Sequence, residues 1–316
     1  MASPGYGPLE SITRISVPLP EPGRGEVRVK VHTSAINPAD FKVVLGSMKF
    51  LHARNKPLIV GYDFSGTIVA VGAGVKDDAV GDEVFGFLPY SPMNRRGAFA
   101  EFLIARSSDL AIKPSPVTHA QASAVATSGV SALQAMRDLG GLRSGHRVLI
   151  TGASGGVGLL AVSIARRLGA SVTAVGSGRG LELARLHGAE AVIDRKAGSV
   201  LNALKGPYDV IFDPATAYRW RTMKPYLKPG GAFVTTLPSV AFFIDKLASL
   251  FSSTRVGFLN VKARPADLNQ LAEWMMSGMQ VTVDHTIPVR DVAKSMAKLK
   301  NGGVVGRIVV DVKDSF

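Results

Sequence analysis

From Glu26 to Thr33 the sequence EVRVKVHT alternates apolar and charged side chains. A half-buried strand requires that period of two, because successive Cβ atoms point to opposite faces of a sheet. The same alternation predicts strands at Phe64–Val71 and Glu83–Phe87, separated by Gly-containing turns such as VGAG at 71–74 and VGD at 80–82. The first third therefore predicts an antiparallel, barrel-like domain. Past about residue 114 the rhythm changes to short apolar runs alternating with amphipathic stretches, as βαβ units and a parallel sheet require. Strands are expected at Arg147–Thr151, Ser171–Val175, Ala189–Asp194, Tyr208–Asp213, Gly231–Thr235 and Arg255–Asn260. Helices are expected at Leu159–Leu168 and Gly180–His187, with Gly169 and Gly188 where they stop. Strand character returns at Val281–Ile287 and Arg307–Val312, around a helix at Val289–Leu299. The C-terminus is thus expected to fold back onto the first domain, giving one domain from 1–113 with 280–316 and a second from 114–279. A length of 316 residues agrees with two cores rather than one.

Composition narrows the classes. Hydrophobic residues make up 46% and charged residues 19%, with 34 Gly and 18 Pro, a profile of a folded soluble protein rich in turns. The most apolar stretch, Leu237–Phe251, is interrupted by Asp245 and Lys246, so no membrane span is expected. It reads either as the lining of an apolar pocket or as a subunit interface. The opening residues lack the apolar run of a secretory leader, and a cytoplasmic location is expected. Cysteine is absent, which excludes disulfides, thiolate catalysis and sulfur-bound zinc. The six histidines are scattered without an HxxxH pair, so no metal is expected. The formal charge of +13 comes without long Lys/Arg runs or interleaved aromatics, and no specific nucleic-acid binding is expected. An alternative use of that charge is peripheral attachment to an anionic membrane or nucleic acid by a redox-linked, NADPH-binding protein.

The chemistry concentrates in RVLITGASGGVGLLAVSIARRLGASVTAV, residues 147–175, which reads as strand, Gly-rich turn, helix and second strand. Gly152, Ser154, Gly155, Gly156, Val157 and Gly158 form the turn, where small residues let the backbone approach a dinucleotide pyrophosphate at the helix N-terminus. NAD enzymes usually place an acid at the end of the second strand to hold the ribose 2′-hydroxyl. Here the sequence continues VGSGRG, offering Ser177 and Arg179 to a 2′-phosphate, so NADPH is the expected cofactor. The competing reading makes Arg179 a surface residue at the start of the next helix. Asp213, ending the fourth strand, is read either as cofactor-binding at the carboxyl edge of the sheet or as a cap.

Further stretches carry a family resemblance: AINPAD at 35–40, GYDFSGTIVAVGAGV at 61–75, GDEVFGF at 81–87, GAFAEF at 97–102, TSGVSAL at 127–133, TGASGGVG at 151–158 and GVVGRIVV at 303–310. Over nearly its whole length the chain resembles the zinc-independent quinone oxidoreductase branch of the medium-chain dehydrogenases/reductases, and within it the chloroplast-envelope quinone oxidoreductase homologues. The resemblance implies an α/β fold made of a GroES-like antiparallel barrel-like domain and a Rossmann domain with a doubly wound parallel sheet, usually as a homodimer. It implies a quinone or an enone as substrate, Asn37 and Asp40 at the floor of the active cleft, and Thr127 beside the nicotinamide. Asn37 is then expected to donate to a developing oxyanion and Thr127 to bond the carboxamide. The plainer reading is that Asn37-Pro38 makes a turn and Asp40 caps the following helix. Relatives carry a Tyr some eight to ten residues beyond Asp40 where this chain has GSMKF at 46–50, which leaves Tyr62, with Tyr90 as an alternative, as the candidate phenol.

Overall fold

The computed structural model describes residues 1–48, 57–91 and 96–313. The chain divides into two compact units, one of residues 1–127 with 262–316 and one of residues 128–261. The stretches 114–127 and 262–279, expected in the second domain, thus belong to the first unit.

In the first unit, β1 (Ala2–Ser3) pairs with β3 (Leu58–Ile59). The main sheet is built from β2 (Glu26–Ala35), β4 (Asp63–Val71), β5 (Glu83–Phe87), β6 (Phe102–Arg106), β7 (Leu110–Ile112), β14 (Val283–Pro288) and β15 (Arg307–Asp311). Its order is β14-β15-β2-β4-β5-β7, with β6 also on β2, and every pairing except β14 with β15 is antiparallel. The alternation in β2 has its expected consequence: Val27, Val29 and Val31 are buried while Lys30 faces water. Gly66 is required where β4 crosses β2, since a Cβ there would lie 2.1 Å from the Lys30 carbonyl oxygen. α1 (Pro38–Val44) starts on a proline, whose fixed φ suits a first helical position, and packs against α9 (Val292–Asn301). α2 (His119–Leu133) runs across the division at 127, and α8 (Pro265–Met276) packs on β7.

The second unit contains β8 (Arg147–Ile150), β9 (Ser171–Gly176), β10 (Ala191–Asp194), β11 (Tyr208–Asp213), β12 (Leu227–Thr235) and β13 (Arg255–Phe258). These make a wholly parallel six-stranded sheet in the order β10-β9-β8-β11-β12-β13. Between them run α3 (Gly156–Arg167), α4 (Arg179–Leu186), α5 (Val200–Ala203), α6 (Trp220–Met223) and α7 (Val240–Ser249). Leu149, Ile211, Phe233 and Val256, one from each of four strands, meet Tyr208 and Trp220 in the core. Gly169 and Gly188, with φ of 78° and 106°, end α3 and α4 as expected. Strand order reverses between β8 and β11, and in open α/β sheets ligands bind at the carboxyl ends of the strands at such a switch point. Among the described residues no helix is long and apolar enough to cross a membrane.

Candidate functional site

In the first unit the candidate residues converge on one that the sequence reading passed over, Asp63. It opens β4 and is fully buried. Its Oδ2 accepts from Arg307 Nη2 at 2.7 Å and from the Asn37 amide at 2.9 Å. Its Oδ1 accepts from the Thr127 backbone N–H at 3.0 Å and from the Thr127 hydroxyl. Burial pushes the Asp63 carboxyl up, and Arg307, Thr127 and Asn37 pull against it. Every one of these neighbours donates, so the shell is built for the ionised carboxylate.

That shell revises the expected roles. The Asn37 amide donates to Asp63 and, at 3.4 Å, to the Ala35 carbonyl, so both of its hydrogens are used within the protein. Asn37 therefore positions Asp63 and has no hydrogen left for a substrate oxyanion. The Thr127 hydroxyl spends its single hydrogen on Asp63 and keeps only lone pairs, with which it accepts. Asp40 follows the plainer reading: its Oδ2 accepts the Asn37 N–H at 2.6 Å and fixes the start of α1. Its other oxygen is buried without a hydrogen-bond partner. Burial, with the charge of Asp63 adding to it, raises the Asp40 carboxyl to about 8, so Asp40 keeps its proton at neutral pH.

Tyr62 precedes Asp63, is buried, and stacks on half-buried Tyr90 with ring centroids 4.1 Å apart. Burial and then the Asp40 charge raise the Tyr62 phenol above its ordinary value. Burial raises that of Tyr90 as well, against a bond to Thr127. Both rings thus stay protonated and act as O–H donors. Of the GSMKF stretch, Lys49 and Phe50 lie outside the described residues.

In the second unit the Gly-rich turn follows β8. Gly152 has φ 56°, and a Cβ on it would meet Ala215 Cβ at 2.7 Å. A Cβ on Gly158 would lie 2.2 Å from the Gly152 carbonyl oxygen, so α3 can pack this closely on the turn only with glycine there. Gly155 caps α3, and the only contact a Cβ there would make is Gly152 O at 3.4 Å. The backbone around Gly155, Gly156 and Val157 is consequently open to a ligand, and amides in the first turn of a helix have no partner within the helix. The Ser154 hydroxyl faces inward instead, accepting from the Ser177 N–H at 3.1 Å. It fills the space where Cβ atoms on Gly176 and Gly180 would stand, at 2.5 and 2.1 Å. Ser154 therefore ties the end of β9 to the turn.

Asp213 is also a positioning residue. Its Oδ1 accepts from the Thr151 hydroxyl and its Oδ2 from the Tyr218 N–H at 2.8 Å, so both oxygens of this fully buried carboxylate hold the turn after β8 and the loop after β11. At the end of β9, Ser177 and Gly178 lead into Arg179, the first residue of α4. Arg179 is exposed and has no hydrogen bond or ion pair among the described residues. No acid stands at the end of this strand. The open turn, the helix start and a free guanidinium fit a phosphorylated dinucleotide. Among the described residues no group of three or more His, Cys, Asp or Glu side chains is placed to hold a metal ion.

Comparison with known proteins agrees with this geometry. Residues 23–115 match the alcohol dehydrogenase GroES-like domain and residues 187–310 the family described as zinc-binding dehydrogenase. The chain is 32% identical to the human mitochondrial NAD(P)H oxidoreductase RTN4IP1, over 91% of this chain and 82% of that protein. It is 29% identical to the chloroplast envelope quinone oxidoreductase homolog of Arabidopsis thaliana, over 96% and 95% of the two chains. The solved quinone oxidoreductase of Coxiella burnetii superposes with a TM-score of 0.89 at 26% identity, covering 99% of this chain and 98% of that one.

Proposed function

Because the chain belongs to the medium-chain dehydrogenase/reductase superfamily, in its quinone oxidoreductase branch, we propose that it is a metal-free, NADPH-dependent reductase of quinones, with enones as secondary acceptors. The observation that carries the cofactor choice is the end of β9, where Ser177 and the unpaired Arg179 stand in place of an acid. A guanidinium there meets a 2′-phosphate, and no carboxylate repels it. Gly156 and Val157 hold the pyrophosphate with backbone amides, the Gly155 N–H being spent on the Gly152 carbonyl oxygen at 3.0 Å, while Ser154 and Asp213 keep the turn in shape. Bound NADPH supplies the hydride.

The protein's own part is to orient and to stabilise. Thr127, with lone pairs but no hydrogen to give, accepts from the amide of the nicotinamide carboxamide, and Asp63 and Arg307 keep it in place. Tyr62 donates to the oxyanion that develops on the acceptor. Its raised pKa makes it a hydrogen-bond donor that retains its proton rather than an acid that releases it. An acceptor is therefore favoured whose product takes its proton from solvent. A quinone, which gains a hydride and a proton to become a hydroquinone with both protons on oxygen, meets that condition. An enone, which needs protonation at carbon, meets it less well. The metal-free reading rests on donor chemistry. With no cysteine in the chain and both hydrogens of Asn37 spent on protein oxygens, the oxyanion is met by hydrogen bonds alone, enough for a delocalised charge.

The test is NADPH oxidation in the presence of 1,4-benzoquinone, 9,10-phenanthrenequinone and simple enones, before and after exhaustive chelation. Quinones are expected to turn over with kcat/KM at least about tenfold above the enones, a difference of about 1.4 kcal/mol, with no loss on chelation. Absence of turnover on every acceptor would overturn the reading.

A further inference from the structure

Parallel sheets are ordinarily covered by helices on both faces, but at β9 and β10 the sheet of the second unit is covered unevenly. On one face α3 packs on β8 and β9, and α4 on β9 and β10, so Val172 and Ala174 are fully buried. The other face is served by the link from Asp194 to Tyr208, whose only helix is the single turn of α5. Alternation along β9 turns Ser171 and Thr173 toward that face, where the register sets Ser171 beside Arg147 and Thr173 between Leu149 and Ala191. Cover is incomplete there: Ser171 and Thr173 are half-buried and Ala191 is exposed. These three line the floor of a cavity of about 500 Å³, with Arg147, Ser199, Lys205 and Tyr208 around it.

The polar groups around this cavity are donors that lack an acceptor. The Arg147 guanidinium lies 5.2 Å from the Tyr208 ring centre, gives Nη1 to the Pro207 carbonyl at 3.1 Å and Nη2 to the Lys205 carbonyl at 2.6 Å, and has no carboxylate partner among the described residues. Two bonds leave most of its N–H groups unused. Tyr208 is 1% exposed, yet its hydroxyl has no hydrogen-bond partner among the described residues, and neither have the Thr173 and Ser199 hydroxyls or the Lys205 ammonium. The two acids at the rim are engaged elsewhere. Glu190 accepts from Arg166 Nη1 at 3.0 Å and from the Ser171 hydroxyl, and Asp194 accepts the Lys196 N–H at 2.9 Å.

We propose that this cavity is a second ligand site, for a small aromatic carboxylate, separate from the Gly-rich turn. Its volume is that of an ordinary small-molecule pocket. The carboxylate accepts from Arg147, Lys205 and the Tyr208 hydroxyl, and the ring lies against Ala191, Ile193 and Ala203. A neutral ligand would leave the guanidinium without a counter-charge, and an inorganic anion would leave the apolar wall bare. The lining includes none of Gly155, Gly156, Ser177 or Arg179, so the carboxylate does not compete with a dinucleotide and the site does not depend on the choice of cofactor.

The probe is 2-naphthoate, titrated into the full chain by isothermal calorimetry with and without NADPH. A dissociation constant below about 1 mM is expected, unchanged by NADPH, and 2-naphthamide, which has the same shape without the charge, is expected to bind about tenfold more weakly or worse. Ala203→Trp, at an exposed position on α5, fills the cavity and is expected to abolish binding with an unchanged circular dichroism spectrum. Lys205→Glu changes only an exposed side chain and gives an independent reading: affinity for 2-naphthoate is expected to fall about fivefold or more. The site is refuted by no binding of 2-naphthoate at about 1 mM, by equal affinity for the amide, or by full affinity in a folded Ala203→Trp or Lys205→Glu variant. Displacement of 2-naphthoate by NADPH would assign the probe to the Gly-rich turn and refute it as well.

Discussion

In the first unit the candidate residues are held by charge: the buried Asp63 carboxylate gathers Arg307, Asn37 and Thr127 from separate elements, and Asp40 stands beside it with a proton it cannot easily lose. In the second unit they are held by the absence of side chains: Gly152, Gly158, Gly176 and Gly180 leave room for backbone and for Ser154. The first arrangement fixes side chains for chemistry and makes stability depend on ionisation. The second leaves an open backbone surface for a ligand and makes binding depend on shape.

The largest effect that would break this contrast is on Asp63. Arg307→Leu strands a buried carboxylate and is expected to cost about 3–5 kcal/mol in urea unfolding. A loss below about 1 kcal/mol would show that the cluster is not held by charge. Gly158→Ala tests the other side. With its new methyl about 2.2 Å from the Gly152 carbonyl oxygen, the turn must open. NADPH affinity measured by fluorescence titration is expected to fall at least tenfold, about 1.4 kcal/mol, while stability drops by about 1–3 kcal/mol.

Smallest is Asp40→Asn. Its folded-state pKa of about 8 lies above the unfolded value of 3.8, so the stability it contributes is fully present below pH 3.8 and is lost as pH rises through about 8. An amide oxygen still accepts the Asn37 N–H, and the variant carries no charge to bury. Its melting temperature is expected to rise above that of the wild type by a few degrees at pH 9, with little difference near pH 4. Parallel melting curves across that range would show that Asp40 does not hold a raised pKa.

The contrast also explains what the sequence made legible. The Gly-rich turn is contiguous, so its strand, glycines and helix are read in order, and β8, β11 and the C-terminal ends of α3 and α4 fall within a residue or so of expectation, while α3 starts three residues earlier than expected, at Gly156. The Asp63 cluster joins residues as far apart as Asp63 and Arg307, 244 positions along the chain, and no local period reports such a pairing. A signal was present in hindsight, since each is a lone charge in an apolar run beside a glycine, in GYDFSG and GVVGRIVV. Asn37 and Asp213 were read from residue type and position, but their availability to a ligand depends on hydrogen bonds made elsewhere in the fold. β6, β7 and α8 escaped because FLIAR and LAI are too short to show alternation and PADLNQLAEWMM was not separated from the parallel-sheet region; its packing on β7 assigns it to the first unit.

The most direct test of the account is the comparison of NADPH and NADH with wild type and Arg179→Ala. Loss of the guanidinium is expected to raise the NADPH KM by one to two orders of magnitude, about 1.4–2.7 kcal/mol, and to leave that for NADH nearly unchanged. Equal changes for both cofactors, or none, would contradict the assignment of this residue to the 2′-phosphate.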